Sequence, residues 1–312
     1  GEAAEATAPV LADFAPAFDP GGKYLYFLSA REFNPVYDNL HFDLGFPRGV
    51  RPCLVTLQAE TPSPFFVEPK AADNPDEKKA EEKKDDAPAP VHIDLEGIAR
   101  RVLAFPVPEG RYAQLGAIPG KALWTNWPIE GALGQPWRDP VPAAKGMLQA
   151  FDLEARKLET LVDGVSGLAV SQDGKTLCYR AGNRLRVVKA GAKPDEKSAR
   201  KPPGKDSGWV DLGRLRLEVD PPAEWRQMLL EAWRLQRDNF WDEGMAGVDW
   251  DAVLARYLPL VERVATRGEF SDLVWEMQGE LGTSHAYEFG GDYRPEPHYA
   301  MGFLGADLDF DE

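Results

Sequence analysis

The chain has 312 residues, 43% of them hydrophobic, enough to build packed cores in two domains. Its formal net charge of −15 opposes phosphate backbones and anionic lipid surfaces, so neither nucleic acid nor membrane is expected as a partner. The two cysteines, Cys53 and Cys178, are too few for a disulfide scaffold and too far apart in sequence for a metal pair, and read as buried free thiols of a reducing compartment. No run approaches the roughly eighteen apolar residues of a membrane span, and GEAAEATAPV lacks a basic segment followed by an apolar one, so a cytoplasmic location is expected. The chain opens at Gly1 without an initiating Met and ends in LGADLDFDE without a capping or turn signal, and is therefore read as a segment of a longer protein.

The first two thirds carry short β signals. PAFDPGGKYLYFLSA at 16–30 sets a Pro-Gly-Gly turn before a run of Tyr, Leu and Phe that suits a strand buried on both faces. AIPGKALWTNW at 117–127 and VSQDGKTLCYRAG at 170–182 repeat the pattern, each a turn ending in Gly-Lys before an apolar strand. In GMLQAFDLEARKLETLV the Glu154-Ala155-Arg156 region reads as a hairpin turn. Strand, turn, strand at short spacing with no long helix predicts antiparallel β-propeller blades, about four of them at about 40 to 45 residues each. Two charged, low-complexity tracts, 68–90 and 189–208, have little to bury and are expected to be disordered inserts.

From residue 219 the period changes. Asp220 can cap a helix beginning Pro221-Pro222, and Trp225, Leu229, Ala232 and Trp233 give it one apolar face. Asp249 can cap a second helix in which Pro259 forces a kink or a new start. Thr266 opens a third, with Phe270, Leu273, Val274 and Met277 as its buried stripe and Gly282 as its stop. A small α-helical domain is predicted.

That third helix ends in GELGTSHAYE, residues 279–288, expected to run on as a short strand and a glycine turn. With four histidines in the chain, few groups can move protons near neutral pH, and His285 has hydroxyls on either side in Ser284 and Tyr287. In extended backbone Ser284 and His285 would face opposite ways, so a nucleophile for His285 would come from another segment. A histidine just past a helix also commonly does no more than bond the last carbonyls, and position by itself leaves both readings open. His41, His92 and His298 stand alone and read as structural or surface residues. There is no HExxH, no Gly-x-Ser-x-Gly, no phosphate-binding loop and no His or Cys pair at metal spacing, so no cofactor and no metal site is expected.

Residues 224–295, through GVDW, WEMQGELGTSHAYE and GGDYRP, closely resemble the helical domain that opens the catalytic half of the tricorn protease family. HIDLEGIARRVLAFPVPEGRY at 92–112 resembles part of that family's second propeller, and GFLGADLDFDE at 302–312 the opening of its PDZ-like domain. The resemblance implies a partial propeller at 1–218, a helical catalytic-half domain at 219–295 and the first strand of a PDZ-like domain at 296–312. It further implies a cytoplasmic, hexameric, metal-independent serine peptidase acting on oligopeptides. His285 would be its general base and Ser284 the group that orients the imidazole, with the nucleophilic Ser and a Glu completing the tetrad beyond this chain, which would be inactive alone. Two other readings stay open: a relative of the carboxy-terminal processing peptidases with a Ser-Lys dyad, and a non-catalytic propeller that binds peptides.

Overall fold

A repeated turn organises the β part of the molecule. In Asp19–Tyr24 the Asp19 amide donates to the Tyr24 carbonyl and Gly22 N donates back to Asp19 O, each at 2.9 Å. Ser171–Thr176 repeats the pattern, with Ser171 N to Thr176 O and Gly174 N to Ser171 O, also at 2.9 Å. Gly22 and Gly174 sit at φ 69° and 66°, and Gly120 in the tighter Pro119-Gly120 turn at 74°, in the left-handed region where a side chain is costly. The three Gly-Lys signatures are therefore three hairpin turns.

The computed structural model describes residues 3–66, 91–131, 143–291, 293, 302 and 305. The chain divides into two compact units, Gly1–Leu215 and Arg216–Glu312. The first holds strands β1 (Asp13–Phe18), β2 (Tyr24–Ser29), β3 (Val36–Asp38), β4 (Asp43–Gly45), β5 (Arg51–Thr56), β6 (Val102–Ala104) and β7 (Arg111–Ile118). It continues with β8 (Lys121–Trp127), β9 (Gly146–Asp152), β10 (Lys157–Val165), β11 (Gly167–Val170), β12 (Thr176–Ala181) and β13 (Arg184–Lys189). The sheets run β1-β2-β5-β6, β10-β9-β8-β7 and β11-β12-β13, with β3 and β4 as a separate hairpin, and every pairing is antiparallel. These are propeller-type blades, three among the described residues where sequence spacing suggested about four. In the first sheet β5 (Arg51–Thr56) pairs directly with β6 (Val102–Ala104), so strands on either side of the first charged tract belong to one blade. The predicted hairpin at Glu154–Arg156 is present, its amides at 154 and 155 donating to Asp152 Oδ1 at 3.0 and 2.8 Å.

Period-two alternation makes the second sheet a shared wall. Trp124 of β8 packs with Tyr24, Tyr26 and Leu54 of the first sheet, while its neighbour Leu123 turns to Leu177 and Tyr179 of the third. Trp124 is fully buried, and its indole N–H is satisfied by Gln149 Oε1 at 3.1 Å. Cys53, buried on β5 beside Phe27 and Val55, is a free thiol, and burial pushes its pKa up to about 11 against the mixed pull of nearby charges. Cys178, also free, is half-buried.

The tract 189–208 is not a disordered insert. Asp195 accepts from the amides of Lys197 and Ser198 to start a one-turn helix, α1 (Glu196–Ala199), and the chain folds back onto β13. Arg186 holds it, donating from Nε to Ser207 O at 2.8 Å, from Nη1 to Tyr179 Oη at 3.0 Å and from Nη2 to Ser198 Oγ at 2.6 Å. Composition pointed the wrong way because the ordering comes from one buried guanidinium and backbone carbonyls, which a count of charges cannot register. The other charged tract, 68–90, lies outside the described residues, as does all but Gly302 and Gly305 of the expected PDZ-like start at 296–312.

The second unit is helical: α2 (Pro221–Asn239), α3 (Trp250–Tyr257) and α4 (Arg267–Gly279), with a 3-10 segment at Leu258–Arg263 beginning where Pro259 removes a helical donor. Asp220 and Asp249 cap α2 and α3, and Thr266 with Glu269 forms a reciprocal capping box on α4. Trp225, Leu229 and Trp233 of α2 meet Trp250 and Val253 of α3 and Phe270 and Met277 of α4 in one core. The indoles of Trp233 and Trp250 each donate to the other's backbone carbonyl, at 2.8 and 3.0 Å, which ties α2 to α3.

Candidate functional site

Helix α4 stops at Gly279, three residues before the glycine expected to end it. Leu281 N to Gln278 O at 3.2 Å and Gly282 N to Gly279 O at 3.0 Å close the last turn, with Gly282 at φ 60°. Glu280 is fixed there by the Tyr257 hydroxyl at 2.9 Å and Arg256 Nη1 at 2.5 Å, so α3 steadies the point from which the Ser-His segment departs.

Ser284 and His285 are exposed. Ser284 Oγ lies 3.4 Å from His285 Nδ1, a long contact at the outer limit of hydrogen bonding that leaves Nε2 as the nitrogen for another partner. His285 has φ 69°, a left-handed conformation uncommon outside glycine. The neighbours are therefore not displayed on opposite faces of an extended strand; the backbone turns at His285, and this brings the two side chains together. Residues 283–291 form no strand, against expectation, because no described strand of the helical unit offers them ladder partners.

The segment is held instead by side chains. The His285 ring stands edge-on to Tyr287 at 5.8 Å between centroids, and Tyr287 packs on Trp275 of α4 at 5.8 Å and on Phe289 at 5.4 Å. Glu288 is an anchor that sequence reasoning missed. Its carboxylate pairs with Arg267 and accepts from the Ser271 hydroxyl, and the Tyr293 hydroxyl lies 2.7 Å from Ser271 Oγ and 3.2 Å from Glu288 Oε2. Burial raises the Glu288 pKa, but the hydrogen bonds from Ser271 and Arg267 and the Arg267 charge outweigh it and hold the carboxyl below its usual range. A signal was present: Arg267 is the first residue of α4, where a cation opposes the helix dipole and calls for an acidic partner.

The other histidines are not gathered here. His41 is exposed beside the β3–β4 hairpin, His92 is exposed and pairs with Asp94 at 3.0 Å, and His298 lies outside the described residues. Among the described residues no group of His, Cys, Asp and Glu could hold a metal ion, and no helix is long and apolar enough to cross a membrane.

Antiparallel blades followed by a small helical unit that presents an adjacent Ser and His define a propeller-bearing protein with an appended helical domain. Comparison narrows the class. Residues 1–191 match the tricorn protease second beta propeller domain and residues 221–279 the tricorn protease C1 domain. Tricorn protease homolog 1 of Streptomyces coelicolor is 42% identical over 97% of this chain and 28% of its own length. The tricorn protease homolog of Saccharolobus solfataricus is 38% identical over 100% of this chain and 27% of its own. A crystal structure of the tricorn protease superposes with a TM-score of 0.68 at 27% identity, covering 92% of this chain and 26% of that one. The chain belongs to the tricorn protease family. It spans about a quarter of the length of the curated relatives it matches.

Proposed function

We propose that the chain is the segment of a tricorn-type serine peptidase that supplies the general base. His285 takes the proton of a nucleophilic Ser through Nε2, and Ser284, on Nδ1, orients the ring. The nucleophile and the Glu that completes the tetrad lie outside residues 1–312. The carrying observation is the Ser284 Oγ to His285 Nδ1 contact of 3.4 Å, made by the turn at His285 within a segment similar throughout to the tricorn family. A base held at one nitrogen and open at the other is the arrangement that proton transfer from a hydroxyl requires. Oligopeptides are the proposed substrates, a hexamer the proposed assembly and the cytoplasm the proposed location. All three rest on family membership.

The test is kinetic, in the peptidase that carries this segment, on a fluorogenic oligopeptide. His285→Ala is expected to lower kcat by about a thousandfold or more with KM little changed, and Ser284→Ala by less, since it acts through the ring. Activity is expected to withstand chelators. A His285→Ala enzyme that keeps a tenth of its activity overturns the assignment.

A further inference from the structure

Helix α4 presents Arg267, Ser271 and Trp275 at successive four-residue steps, one stripe along a single face. The segment after the helix returns along that stripe: Tyr287 against Trp275, Glu288 against Ser271 and Arg267, Tyr293 against Arg267 and Ser271. Apart from this stripe, nothing regular supports residues 283–291 among the described residues, since they form neither helix nor strand.

Glu288 is the polar centre of the contact. The side chain of Arg267 is 8% exposed and that of Glu288 17%, and the Arg267 guanidinium also lies over the rings of Tyr293 and Phe270 at 4.9 and 5.2 Å. The fit is tight. Gly291 is at φ 130°, and a Cβ there would come within 2.9 Å of Arg267 Nη2 and 3.0 Å of both Arg267 Nε and the Tyr293 ring. Glu288 is three positions on from His285, with Ala286 and Tyr287 between, a tether of about 10 Å at full stretch, so wherever Glu288 is pinned the imidazole is confined nearby. The left-handed backbone at His285, φ 69°, is strained and persists only where the surroundings determine it.

We propose that Glu288 is a positioning residue for His285: its carboxylate, clasped by Arg267, Ser271 and Tyr293, docks the Ser-His segment on the α4 stripe and sets where the imidazole stands. Glu288 touches no reacting atom. The inference rests on the reading of His285 as general base.

The test uses the same peptidase. Glu288→Ala is expected to lower kcat by about 10- to 100-fold with KM within about threefold, the size of effect seen when the support of a reacting group is removed. Glu288→Gln can still accept from Ser271 and is expected to recover most of that loss. Gly291→Ala leaves Glu288 in place but crowds Arg267, and is expected to fall between the two. A purely structural role would lower the melting temperature without this kcat-selective ladder. The histidine ring signals of the 312-residue chain give a second readout: the His285 resonance, assigned with His285→Ala, is expected to shift in Glu288→Ala and stay near its place in Glu288→Gln. If Glu288→Ala fails to fold, Glu288→Gln and Gly291→Ala carry the kinetic comparison. Activity that survives His285→Ala refutes the base assignment, whatever Glu288 does. Activity that needs His285, with kcat in Glu288→Ala within twofold and an unmoved His285 signal, overturns the positioning role.

Discussion

Arg186 makes four hydrogen bonds with only 3% of its surface exposed, to the carbonyls of Ser207 and Asp195 and the hydroxyls of Tyr179 and Ser198. Trp209 closes over the same group, its ring 5.5 Å from the Arg186 guanidinium and 3.7 Å from that of Arg184, and its indole N–H on Ala199 O at 2.9 Å. A planar head with five donors suits this convergence of acceptors, and an ammonium would not reach them together. Arg186→Met keeps the stem and strands the acceptors. It is expected to cost about 2 to 4 kcal/mol in urea unfolding, since each bond to a charged donor contributes about 1.5 to 3 kcal/mol and part is recovered by water. The segment it holds contains Lys197, Arg200 and Lys205, none followed by Pro, so trypsin is expected to nick the variant there well before the wild type. Equal cutting of both proteins would show that α1 is not kept in place by Arg186.

The elements of the helical unit follow from short signals with local causes. Thr266 accepts from Glu269 N at 3.2 Å, while the Glu269 carboxylate reaches back to the amides of Ala265 and Thr266 at 2.7 and 3.2 Å, so the box is complete. Thr266→Ala is expected to cost about 1 kcal/mol of unfolding free energy and Thr266→Ser much less, measured by denaturant titration. Caps at Asp220, Asp249 and Thr266, the Pro259 break and the three Gly-Lys turns were all legible, because each depends on residues within a few positions of one another. Two things were not. The fold of 189–208 depends on a contact between Arg186 and Ser207, far apart in sequence, and the end of α4 falls at Gly279 because the last turn tightens before Gly282 turns left-handed. The candidate site was half legible in its geometry: Ser284 and His285 stood out by residue type, whereas their meeting needed the positive φ at His285, and the Glu288 clasp needed the chain to fold back on α4.

For the whole molecule, acid acts through two terms of opposite sign. A net charge of −15 repels itself, so protonating exposed carboxylates relieves strain on the folded state, and salt at neutral pH relieves it too. Against this, Asp94, Asp152, Asp173 and Glu288 are all held below their usual range: by the Ala59 amide, the Ala155 amide, the Ser171 hydroxyl, and the clasp of Ser271, Arg267 and Tyr293 respectively. Each is lowered in the folded state, so its contribution is complete above the unfolded pKa and is lost as pH falls through the folded one. Glu288 is the most enclosed of the four and the least open to screening. Stability is therefore expected to be nearly flat from pH 7 to about pH 5 and to fall below about pH 4.5, where carboxylates begin to bind protons in the unfolded chain first. Glu288→Gln isolates the group: its deficit against wild type is expected to be widest above about pH 5 and to close as pH falls, in high salt as in low, because a paired and enclosed carboxylate is screened less than the surface. A deficit that stays constant with pH would mean that shape and hydrogen bonding hold the Ser-His segment and that the charge of Glu288 does not.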